Sequence, residues 1–124
     1  MEFRFKKQLV WMAGSKKDLS SLPAKVVKSV GYALHLAQAG LTPPDAKPLA
    51  GFHGAGVLEI VENHNGDTYR AVYTVKFLHA IFVLHCFQKK SRTGIATPKH
   101  DIELIRCRLE RARKIYEDMK NGKL

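Results

Sequence analysis

Gly66-Asp67-Thr68-Tyr69-Arg70-Ala71-Val72-Tyr73-Thr74-Val75 and Ile81-Phe82-Val83-Leu84-His85-Cys86-Phe87-Gln88-Lys89-Lys90 are dense in β-branched and aromatic residues. Such side chains fit the pleated surface of a strand. Asn65-Gly66 and Asp67 form a turn signal ahead of the first run, and Phe77-Leu78-His79 makes a looser break before the second. Together with the apolar run before the turn, three strands follow one another as an antiparallel meander. Arg70 falls inside one strand, and Lys89 and Lys90 fall where the next one ends. A cation within a strand is costly unless it faces solvent, a partner or a ligand. The placement predicts a sheet face that binds anions.

Outward from the meander, Val57 to Glu62 alternates as its first strand. Leu41 to Gly56 holds Pro43, Pro44, Pro48, Gly51, Gly54 and Gly56, which predicts an irregular stretch. Lys47 and His53 are the residues there that could touch a ligand, and a plain surface crossover explains them equally well. Leu22, Val26, Val30, Leu34 and Ala37 recur at helical spacing. Ser20 or Ser21 is expected to cap that helix, Pro23 to sit in its first turn and Gly40 to end it. Lys16-Lys17-Asp18 reads as a polar connection from a short buried strand over Gln8 to Ala13. At the other end, Thr97-Pro98 is expected to cap and open a last helix, with Ile102, Ile105, Leu109, Ala112, Tyr116 and Met119 on its apolar stripe. The predicted fold is α+β: a four-stranded, mainly antiparallel sheet with an N-terminal helical segment and a C-terminal helix, in the order β-α-β-β-β-α. Residues 1–124 form one domain with one core.

Lys and Arg number 21 against 11 Asp and Glu, a formal charge of +10. That excess favours a polyanionic partner, whether nucleic acid, an acidic protein or an anionic membrane surface. No apolar run is long enough to span a bilayer, and Leu9 to Ala13 is too short for a signal-peptide core. Two cysteines, Cys86 and Cys107, do not make a disulfide scaffold, so a cytoplasmic location is expected. His79, His85 and Cys86 lack the paired spacing of a zinc site, and no phosphate-cradling glycine motif is present. Neither metal nor cofactor is expected. Cys86 is not expected to act as a nucleophile with His85, because strand neighbours point to opposite faces.

Several pieces in order resemble the RelE/ParE superfamily of bacterial type II toxins, in its phage-derived HigB-like branch. They are Gly31-Tyr32-Ala33-Leu34, Asp45-Ala46-Lys47-Pro48-Leu49, Gly56-Val57-Leu58-Glu59-Ile60, Gly66 to Tyr73, Phe87-Gln88-Lys89-Lys90-Ser91 and Thr97-Pro98. The resemblance implies a RelE-like sheet backed by helices, with a basic concave working surface. It implies a growth-inhibiting toxin that blocks translation by cleaving mRNA at the ribosome, without a cofactor. A co-encoded antitoxin, expected to be of helix-turn-helix type and encoded next to it, would hold it inactive. ParE-like relatives bind DNA gyrase instead, and a degenerate toxin would bind RNA or the ribosome without cutting.

Such ribonucleases use the ribose 2′-hydroxyl against the adjacent phosphate, as the resemblance implies. The site must then take up one proton, stabilise a phosphorane and protonate the departing 5′-oxygen. Arg70 is matched to the family's phosphate-stabilising arginine; the other reading pairs it with a carboxylate such as Glu59 or Glu62. Lys89 and Lys90 are the remaining catalytic candidates, and strand alternation sends only one of them to the RNA. Arg92, Lys47 and Lys99 are expected to contact RNA. The C-terminal tyrosine or histidine of the best-known relatives is absent, and Tyr116 is expected in the core. His64, His85 and His100 remain as proton carriers. A lysine crowded by other cations is a further one.

Overall fold

The computed structural model describes residues 6–52, 54–89 and 97–122. Eight elements follow in order: β1 (Gln8–Trp11), α1 (Ser15–Ser20), α2 (Ala24–Gln38), β2 (Ala46–Pro48), β3 (Val57–His64), β4 (Asp67–Thr74), β5 (Ala80–Lys89) and α3 (Lys99–Lys120). The strands form one mixed sheet in the order β1-β5-β4-β3-β2, with β1 parallel to β5 and every other pairing antiparallel. The α+β class is as expected. The sheet has five strands rather than four, and an extra helix precedes the long one.

Both additions are short elements hidden by their composition. β2 is three residues long and pairs Ala46, Lys47 and Pro48 with Ile60, Glu59 and Leu58. Pro48 is tolerated because β2 is an edge strand, where a missing N–H breaks no second ladder. The polar Lys16-Lys17-Asp18 lies within the six-residue α1 rather than in a loop. Ser20 and Ser21 do not cap α2; their hydroxyls donate back to the Lys17 and Asp18 carbonyls and close α1. Thr97 likewise does not cap α3, which begins after Pro98 without a side-chain cap. Gly40 ends α2 as expected: at φ 88 it takes the left-handed conformation, and the Leu41 N–H donates to the Leu36 carbonyl at 3.0 Å.

The β3–β4 hairpin turns on Asn65 (φ 50) and Gly66 (φ 84), two left-handed residues that match the twist of the strands. This turn fixes the register from Val57↔Thr74 to His64↔Asp67 and thereby decides which side chain faces which way. α2 covers one face over Ile60, Ala71, Tyr73, Ile81, Val83 and Cys86. α3 covers the other through Ile105, Leu109, Ala112 and Tyr116, against Val72, Phe82 and Leu84. Phe82 meets Tyr116 edge-on at 6.4 Å, and Phe77 meets both rings. Tyr116 is a core residue as expected, and its hydroxyl accepts a hydrogen bond from the His79 N–H at 3.1 Å. Truncating a fully buried ring such as Phe82 would cost about 3–5 kcal/mol. The sheet is therefore covered on both sides.

Candidate functional site

Three successive rows of the ladder set the side chains on the α3 side of the sheet. Lys47, Glu59, Val72 and His85 share the first row; Val61, Arg70 and Phe87 the second; Asn63, Thr68 and Lys89 the third. Neighbouring rows on one face lie about 7 Å apart, so these strands gather three cations and a carboxylate in one region. Arg70 Nη1 lies 2.5 Å from Glu59 Oε1, a diagonal contact between the first two rows. Arg70 is only 5% exposed, and Glu59 is equally buried.

The position of Arg70 corrects one expectation and decides between two others. An exposed strand arginine was expected; the residue is buried. Pairing with Glu59 is the arrangement found, and Glu62 is excluded as its partner because Glu62 pairs with Tyr69 and faces α2. The reason is energetic: an arginine kept off the solvent needs a carboxylate with good geometry.

Lys89 is also buried, at 7% exposure, rather than a solvated strand end. Desolvation pushes its ammonium below the ordinary lysine value; Arg70 and, more weakly, Lys47 push the same way, and Glu59 opposes them. A lysine in this setting gives up its proton more readily than one in water. Lys47 is exposed on the edge strand β2. Lys47, Arg70 and Lys89 are thus brought together, with Glu59 at the centre.

The histidines separate. His85 lies on the same side, in the Lys47–Glu59 row, and is buried. Its Nε2 is 2.8 Å from Asp101 Oδ1 in the first turn of α3, and its ring stacks on Phe87 at 4.5 Å. Burial lowers the imidazole's affinity for a proton more than Asp101 raises it. The ring is therefore neutral at pH 7, Nε2 donates to Asp101, and Nδ1 is buried without a hydrogen-bond partner. The β5 irregularity opposite Val72 and Tyr73 makes this contact possible. It sets the consecutive Leu84 and His85 both toward α3, and Arg108 Nη1 donates to the Leu84 carbonyl at 2.8 Å. His64 stands at the hairpin end on the α2 side, away from Lys89. Lys99 and His100 are exposed at the start of α3. Lys90, Arg92 and His53 lie outside the described residues.

Cys86 points into the α2-side core, opposite His85, and burial raises its thiol to about 12. That is the divergence expected of strand neighbours, and it leaves an inert thiol. Among the described residues no group of three or more His, Cys, Asp or Glu could hold a metal ion, and no helix is long and apolar enough to cross a membrane.

Sequence reasoning did not find Asp101, which only α3 packing brings to His85. It also missed a pair of carboxyls, Glu62 and Asp45, on the α2 side. Burial and the hydrogen-bonding Asp45 carboxylate raise the Glu62 carboxyl to about 7. Pro43-Pro44-Asp45 followed by the short β2 carried no strand signal, so nothing in the sequence set Asp45 beside Glu62.

Fold and site together define a small α+β protein with a buried arginine–carboxylate–lysine cluster on one face of a mixed sheet. The family model described as Phage derived protein Gp49-like matches residues 17–110, and the chain belongs to that family. Comparison with curated proteins gives no match. Among solved structures, a chain of the toxin–antitoxin complex RelBE2 from Mycobacterium tuberculosis is similar at 19% identity. The alignment covers 73% of this chain and 100% of that one, with a TM-score of 0.43.

Proposed function

We propose that this chain is the toxin of a type II toxin–antitoxin system, and that it acts in the cytoplasm as a metal-independent endoribonuclease on ribosome-associated mRNA. Its partner in this reading is a co-encoded antitoxin. The observation that carries the reading is the cluster of Lys47, Arg70 and Lys89 around Glu59 on one sheet face, three cations from three strands. Membership of the phage-derived family, and the sequence pieces shared with the HigB-like branch, support it.

The roles differ from those the sequence alone suggested. Lys47, exposed at the edge, draws the phosphodiester in. Lys89 faces the phosphorane and, with its lowered proton affinity, can exchange a proton during the reaction. The 2′-oxygen bonds to phosphorus as its proton passes to neutral Lys89, the bond to the 5′-oxygen breaks, and Lys89 returns that proton to the 5′-oxygen, giving a 2′,3′-cyclic phosphate and a 5′-hydroxyl. Arg70 is held by Glu59 and serves as a positioning residue that fixes the strand ends around Lys89.

Primer extension on mRNA from cells expressing the chain tests this. Wild type is expected to arrest growth and to produce discrete cuts. Lys89→Gln is expected to lower cleavage about 10²–10³-fold, as loss of one transition-state donor does. Full cleavage by Lys89→Gln would remove that residue from the site. The arrangement of Arg70 favours a second reading, because a guanidinium engaged by Glu59 is a poor phosphate clamp. In that reading the toxin binds RNA, the ribosome or gyrase without cutting, and growth stops with mRNA intact.

A further inference from the structure

The α2 side of the sheet, away from the Lys89 cluster, carries an open groove in two connected parts. Clefts of about 330 and 190 Å³ meet at Ser29 and Glu62, between α2 and the edge formed by β2 and β3. One end is polar, lined by Lys25 and His64; the other is lined by Tyr32, Leu36, Pro43 and Pro44. Ser29, Tyr32 and Leu36 are spaced three and four apart, so one line along α2 forms the wall.

Two independent features mark this groove. Tyr32 is 65% exposed and Leu41, just past the end of α2, is 59% exposed, two of the three large apolar side chains left in solvent among the described residues. The Leu41 N–H donates to the carbonyl of Leu36, a residue that lines the apolar end, so the turn off α2 keeps Leu41 next to that end. Grouped exposed apolar residues mark interaction surfaces, whereas single ones do not. At the junction of the two clefts sit Glu62 and Asp45, two carboxylates within hydrogen-bonding reach of each other. Among the described residues neither has an ion-pair partner, although the chain carries a net charge of +10. Lys25 lines the polar cleft but makes no ion pair with either carboxylate among the described residues, so an incoming cation complements the pair.

We propose that this groove docks an amphipathic segment of a partner protein, seating one lysine or arginine side chain on the Glu62–Asp45 pair and apolar side chains on Tyr32, Leu36 and Leu41. The site stands apart from the reading of the Lys89 cluster, which occupies the other face. Proton linkage follows from the same geometry. Asp45 from the edge, Lys25 and Tyr32 from α2, and His64 from β3 surround Glu62. Burial, and among these groups Asp45, raise its carboxyl to about 7. An incoming cation favours the ionised pair, so binding releases a proton and tightens as pH rises through about 7.

Selection of a random-peptide library displayed on phage against the full chain tests this, followed by titration of the ¹⁵N-labelled chain with the enriched peptides. Enriched peptides are expected to carry a lysine or arginine flanked by apolar residues and to shift the amides of Tyr32, Leu36 and Glu62. Their affinity is expected to fall about tenfold in Glu62→Gln, equivalent to about 1.4 kcal/mol, and to be higher above pH 7 than below it. Tyr32→Ala is expected to weaken them as well. A library giving no binder, binders without a cation, amide shifts on the α3 side, or affinities indifferent to Glu62→Gln would each overturn the site. Growth arrest and mRNA cleavage by Glu62→Gln are expected to match wild type, which keeps this test separate from that of the nuclease.

Discussion

Glu59 and Glu62 lie three residues apart on the same strand, yet they occupy opposite electrostatic worlds. Glu59 faces α3 and is bound to the Arg70 guanidinium in a buried pair of opposite charges. Glu62 faces α2 and lies against Asp45; burial and that neighbouring carboxylate raise the Glu62 carboxyl to about 7. Strand alternation produced the difference, since an odd step along β3 changes face. The fold thus uses one carboxylate to hold its charged cluster together, and leaves the other open to an outside cation.

The largest effect should come from breaking the opposite-charge pair. Arg70→Ala removes the guanidinium that pairs with the buried Glu59 carboxylate, and is expected to destabilise the fold by about 3–5 kcal/mol in denaturant titration. Replacing both, Arg70→Met with Glu59→Leu, is expected to recover most of that loss. A loss under about 1 kcal/mol for Arg70→Ala would mean the pair is solvated. Growth assays on Arg70→Ala therefore need a folding control.

The like-charge pair predicts the opposite sign. The Glu62 carboxyl rises from 4.5 to about 7 on folding, so the folded state holds the extra proton in that window. Stability from this group is fully present below pH 4.5 and is lost as pH rises through about 7. Glu62→Gln removes the repulsion and is expected to stabilise the chain by about 1–2 kcal/mol above pH 7, after discounting for solvent screening. Thermal melts against pH would show a flatter profile in the variant; an unchanged profile would sink the assignment. The smallest effect belongs to the exposed Glu117–Lys120 pair on α3, 3.4 Å apart with both side chains more than half exposed. Glu117→Gln is expected to cost no more than about 0.5 kcal/mol in the same melts.

Much of the fold was legible because its signals are local. Asn65-Gly66 announced the hairpin, the alternation of β3 and β4 announced the strands, and the stripe from Ile105 to Tyr116 announced α3. β2 was not legible, because three residues between prolines lack a period of their own and become a strand only by pairing with Ile60, Glu59 and Leu58. Missing β2 meant that Lys47 could be named as a ligand contact but not joined to Arg70 and Lys89. The burial of Arg70 was equally out of reach, since Tyr69-Arg70-Ala71 reads the same whether its cation meets water or Glu59.

The amino-acid sequence by itself determined the types of the longer elements, the hairpin register and the surplus of positive charge, since period, turn chemistry and composition act over a few residues. Tertiary structure alone decided which charges met. Arg70 with Glu59, His85 with Asp101 and Glu62 with Asp45 are all contacts between separate elements. Their strength depends on distance and on exclusion of water, and neither exists until sheet and helices have packed.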